Sequence, residues 1–109
     1  MNKEFNQALA NEIRDFLLKN EVFTDTRIYF NNMAYSIKYT NYETIENINA
    51  FDYVEYGSDD ILIMVFEGTL YSMINHHEIP SLLIEFDEIF ERHGVYYELG
   101  HAFSLSVYK

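Results

Sequence analysis

Two local groupings carry side chains of the types that catalyse or bind metal. His76-His77-Glu78 combines imidazole and carboxylate. Adjacent residues on one element point different ways, however, so they rarely ligate one ion together, and the trio reads as a solvated loop. Asp59-Asp60 lies beside an apolar run and, with Asp52 or Glu67, offers the carboxylates a Mg²⁺ site uses. Asp before a strand is also ordinary turn chemistry, and no Lys or Arg lies nearby in sequence to steady a phosphate substrate. His93 falls at a helix end, where the dipole favours a cation. There is no Gly-rich phosphate loop, no nucleophile elbow and no His-Glu-x-x-His. With no Cys, disulfides, thiol nucleophiles and Cys-based metal sites are excluded. The expectation is a non-catalytic protein without metal or cofactor.

The chemistry the chain does carry is acidic. From Tyr39 to Glu91 there are 12 Asp/Glu and no Lys or Arg. The whole chain has 18 Asp/Glu against 7 Lys/Arg, a net charge of −11. That exceeds the magnitude of about 2–8 that serves solubility. Such a surface repels nucleic acid and anionic membrane and attracts basic proteins. Lys3, Arg14, Lys19, Arg27, Lys38, Arg92 and Lys109 are scattered and make no basic patch. DNA presents one phosphate per ~3.4 Å of axis on each strand, and rows of carboxylates can imitate it. Glu85 with Glu88, and Asp87 with Glu91, have helical spacing of ~5–6 Å. Glu43 and Glu46 form another pair. On a strand, alternate residues stand ~6.6 Å apart; Asp52 and Glu55 lie near the turn acids Asp59 and Asp60 and can extend such a row. Tyr42, Tyr53 and Tyr56 are interleaved with these acids. Tyr is enriched at interface hot spots, although half-buried strand tyrosines have the same spacing. The candidate partner-binding residues are Glu43, Glu46, Asp52, Tyr53, Glu55, Tyr56, Asp59, Asp60, Glu85 and Glu88.

These residues need elements to hold them. Phe5, Leu9, Ile13, Phe16 and Leu17 make one stripe and predict a helix over residues 3–19. Arg27 to Phe30 and Ala34 to Tyr39 flank Asn31-Asn32-Met33, a hairpin whose Asn residues tolerate positive φ. Thr40 to Ala50 is polar and Asn-rich and reads as a loop, with room for a helical turn. Phe51 to Tyr56 alternates weakly, as a short strand would. Ile61 to Glu67 is the central strand, its near-continuous apolar run calling for cover on both faces. Residues 69–75 fit either a short helix or a return strand, the helix being preferred. Pro80 and Gly94 bracket a helix over residues 81–93, with Leu82, Leu83, Phe86, Ile89 and Phe90 on one face. Val95 to Leu99 and Ala102 to Tyr108 are final strands.

The fold class expected is therefore α+β. It has two layers: a mainly antiparallel sheet of about four to five strands, with the N-terminal helix and the 81–93 helix packed on one face. A chain of 109 residues that is 49% apolar and 17% aromatic can build one domain with its own core. The absent cysteines, signal-peptide pattern and spanning apolar run point to a cytoplasmic protein that does not enter a membrane.

A small, acidic, Cys-free chain rich in Tyr and Asn resembles the anti-CRISPR and antirestriction inhibitors that phages and mobile elements direct against bacterial defence, some of which mimic DNA. The resemblance is one of overall style and carries no motif. It implies an inhibitor whose partner is a basic, nucleic-acid-binding effector. The same style fits an immunity protein for a basic nuclease toxin. An adaptor or homodimeric subunit is the further alternative, pairing through the strand Ala102–Tyr108 if that strand lies at a sheet edge.

Overall fold

The computed structural model describes residues 3–48, 61–100 and 103–108. Helix α1, Lys3–Asn20, forms on the expected stripe and buries Leu9, Ala10, Ile13 and Leu17. Strands β1 (Thr26–Phe30) and β2 (Met33–Lys38) are joined by Asn31-Asn32. Both of these asparagines have positive φ, 49° and 60°, the twist a two-residue hairpin requires. Tyr39-Thr40 makes the next two-residue turn, into β3 (Asn41–Glu46). Then follow β4 (Leu62–Phe66), helix α2 (Thr69–His76), helix α3 (Pro80–Arg92), β5 (Tyr96–Leu99) and β6 (Ser104–Tyr108). Gly68, before α2, has φ 65°, and a Cβ there would stand 2.7 Å from the Thr24 hydroxyl oxygen. A side chain at this position would be strained and would also clash.

The six strands form one open sheet in the order β3-β2-β1-β4-β6-β5, every neighbour antiparallel. Alternation sorts the strand side chains onto two faces. Ile28, Ile37, Met64, Phe66, Leu105 and Val107 point to the helices and join Leu9, Ile13, Leu70, Met73, Phe86 and Phe90 in the main core. Burying an aliphatic or Phe side chain of this kind contributes ~1.5–3 kcal/mol. Tyr29, Ala34 and Ile63 form a smaller cluster on the other face, with Ile45, Ile48 and Val65 against it. Leu62, Ile63, Met64 and Phe66 are all buried, so β4 is covered on both faces, as its apolar run required.

The expected class holds, residues 69–76 take the preferred helix, and two features differ. The sheet has six strands rather than four to five, because Asn41–Glu46 is a strand and not a loop. The last strand is not an edge: β6 lies between β4 and β5, and the edges of the described sheet are β3 and β5. The expected short strand at Phe51–Tyr56 lies outside the described residues. Among the described residues, no helix is long and apolar enough to cross a membrane.

Candidate protein-binding surface

Glu43 and Glu46 lie on β3. They are an odd number of positions apart, so they project from opposite faces of the sheet. Glu43 pairs with Ser36 and Glu46 with Met33. Both are exposed, and among the described residues neither is in an ion pair. Around them β3 is exposed at every position except Ile45, which is half-buried. On the helix side, Tyr42 packs edge-on against Tyr35, with ring centroids 5.6 Å apart. The Arg14 guanidinium of α1 lies 5.0 Å from the Tyr35 centroid and 4.9 Å from the Tyr42 centroid. It also pairs with Asp15 at 3.0 Å. The Tyr35 hydroxyl donates to Asn11 Oδ1 at 2.6 Å. One arginine of the first helix thus holds two rings of the β2–β3 hairpin.

Glu85 and Glu88 are exposed on α3 and line a cleft of about 290 Å³ between α1 and α3. Across it stand Glu12, Asp15 and Lys19 of α1, with Arg92 near the end of α3. The cleft is pinned at one end by Glu12, whose two carboxylate oxygens engage Arg92 and His93 separately. Burial pushes the Glu12 carboxyl up, but the hydrogen bonds and charges of Arg92 and His93 outweigh it, and its pKa lies below the usual carboxylate value. His93 therefore closes the helix pair, and its ring also meets the Phe5 ring edge-on at 5.8 Å. Asp87, one turn along, is engaged differently. It accepts a 2.6 Å hydrogen bond from the Tyr97 hydroxyl of β5. Burial first, then this bond and the Asp87 charge, hold the Tyr97 pKa well above that of an ordinary phenol.

The ten sequence candidates therefore divide. Glu43 and Glu46 sit at one edge of the sheet. Glu85 and Glu88 sit on the helix that packs against α1, α2 and the strand at the opposite edge, β5. The structure does not bring these pairs into one continuous row. Asp52, Tyr53, Glu55, Tyr56, Asp59 and Asp60 lie outside the described residues. Sequence reasoning missed Glu12 and Asp15 as walls of the α1–α3 cleft; their place off the apolar stripe of α1 was the available signal. The Arg14 contacts with Tyr35 and Tyr42 had no local signal, since 21 and 28 positions separate them. Among the described residues, no group of three or more His, Asp or Glu is placed to hold a metal ion. Comparison with protein families, curated proteins and solved structures gives no match to this chain.

Proposed function

We propose that the protein is an acidic inhibitor that binds the basic nucleic-acid site of a bacterial defence effector, with carboxylates standing where the effector expects phosphates. One observation carries this reading. The chain bears −11 net charge, and Glu43, Glu46, Glu85 and Glu88 are exposed carboxylates that enter no ion pair among the described residues. Unpaired surface carboxylates cost little to leave in water and gain most when a basic partner arrives. Nucleic-acid enzymes present such a partner, because their sites are lined with Lys and Arg.

The test is capture from nuclease-treated bacterial lysate carrying CRISPR and restriction systems, with the tagged protein as bait. The reading expects a basic nucleic-acid enzyme, retained at low salt, released at high salt and displaced by added DNA. Charge reversal at Glu85 and Glu88, or at Glu43 and Glu46, should weaken capture without shifting the thermal melt. A partner that ignores both salt and DNA would refute the reading.

A further inference from the structure

We propose that the outer edge of β3 receives an extended, Lys/Arg-bearing segment of the protein partner, which adds to the sheet as a further strand beside β3. This rests on the proposed function and specifies where and how the partner docks.

Among the described residues the edge is open for pairing, and no strand lies outside β3. The turn Tyr39-Thr40 makes Lys38 and Asn41 the closing pair of the hairpin, and antiparallel bonding alternates from there. Asn41, Glu43 and Ile45 bond inward to β2, so the main-chain N–H and C=O groups of Tyr42, Thr44 and Glu46 face outward. At six residues, β3 is longer than the other edge strand, β5, which has four. It contains none of the Lys or Pro residues that commonly protect a sheet edge.

Charge selects the occupant. Glu43 projects from one face of this edge and Glu46 from the other. A second copy of a chain with −11 net charge would bring like charges together. A basic strand would instead place cations on both faces of the new ladder, within reach of both carboxylates. Beside the turn, a cleft of about 430 Å³ is lined by Ser36, Lys38, Tyr39, Thr40, Tyr42 and Glu43. Tyr39 and Tyr42 are 51% and 45% exposed, so their rings are available to the aliphatic stem of an incoming Lys or Arg. Lys38 lies at the turn end of β3, which directs the segment's cations toward Glu43 and Glu46. Main-chain pairing supplies affinity, and the carboxylates and rings supply selectivity.

Amide hydrogen exchange on the full-length protein tests this with two probes. The first is a peptide of about ten residues in which Lys-Lys pairs alternate with Val-Val pairs, so that both faces of the strand carry cations. The second is the same peptide N-methylated at every residue, with equal charge but no donors for a ladder. The expected result is about tenfold slower exchange at Tyr42, Thr44 and Glu46 with the first peptide and no slowing with the second. Thr44→Pro removes an outward donor while leaving the charge and the inward ladder intact, and should weaken binding of the first peptide about tenfold. Equal binding of the methylated peptide would overturn the edge proposal and leave the charge-based function standing. So would protection at β5 instead of β3. A self-associated form abolished by Thr44→Pro would assign the edge to a second copy and overturn the proposal. Binding of neither peptide at low salt would overturn both.

Discussion

Replacing Arg14 should destabilise the fold by about 2 kcal/mol, and the rings of Tyr35 and Tyr42 are the reason. Its ion pair with Asp15 adds little, because the Asp15 side chain is 65% exposed. The Arg14 side chain itself is only 18% exposed. Its contact with Tyr35, a residue 4% exposed, is largely desolvated, and such a cation–π contact is worth more than ~1 kcal/mol. The contact with exposed Tyr42 adds ~0.5–1 kcal/mol. Arg14→Met keeps the apolar stem and removes the cation, together with a 3.4 Å hydrogen bond that Arg14 donates to Asn11 Oδ1. Arg14→Lys keeps the charge but loses the plane that stacks on a ring, and should cost about half as much. Urea unfolding reads both, with the slope m unchanged if only stability moves. A double-mutant cycle with Tyr42→Leu should return a coupling of ~0.5–1 kcal/mol. A cost below ~0.5 kcal/mol for Arg14→Met, or no coupling to Tyr42, would show that the rings do not hold the guanidinium, and the reasoning would fail.

Three further outcomes are expected. Glu12 has a folded pKa below its unfolded value, so the stability it supplies is present above about pH 4.3 and is lost as pH falls through the folded value. Acid unfolding curves of wild type and Glu12→Gln should therefore separate near neutral pH and converge at low pH. Tyr97 has a folded pKa raised above its unfolded value, so stability should fall as pH rises past about 10, and Tyr97→Phe should flatten that alkaline decline in a thermal-melt series. Met64, 0% exposed in the middle of β4, should cost ~2–5 kcal/mol when replaced by Ala, as read by chemical unfolding.

Elements with one buried face could be read directly from the chain. Helix α3 has five apolar residues on one side and Pro80 and Gly94 at its ends, and it occurs as Pro80–Arg92. β4 was equally plain, because an apolar run covered on both sides has little alternative. β3 was hidden for the opposite reason. Asn41-Tyr42-Glu43-Thr44-Ile45-Glu46 is exposed on both faces, so no alternation marks it; it is held by pairing with β2. Strand order was also beyond reach. Ala102–Tyr108 alternates whether it is central or at an edge, and only its pairing with both Leu62–Val65 and Tyr96–Leu99 places it inside. For the candidate surface, helical spacing found Glu85 and Glu88. It could not find Glu12, whose partners Arg92 and His93 lie 80 and 81 positions away.

The placement of β4 beside β1 also bears on how the chain is made. α1, β1, β2 and β3 are consecutive and can assemble as soon as residue 46 is available. Until Leu62–Phe66 emerges, the side of β1 that β4 will occupy has no neighbour in the sheet. At ~5–20 residues per second on the ribosome, that interval lasts roughly one to four seconds. During it, the nascent protein displays a bare apolar strand next to a growing acidic tail. The negative charge gathered between residues 39 and 60 is thus in place to keep neighbouring nascent chains apart before the sheet has been closed over its own centre.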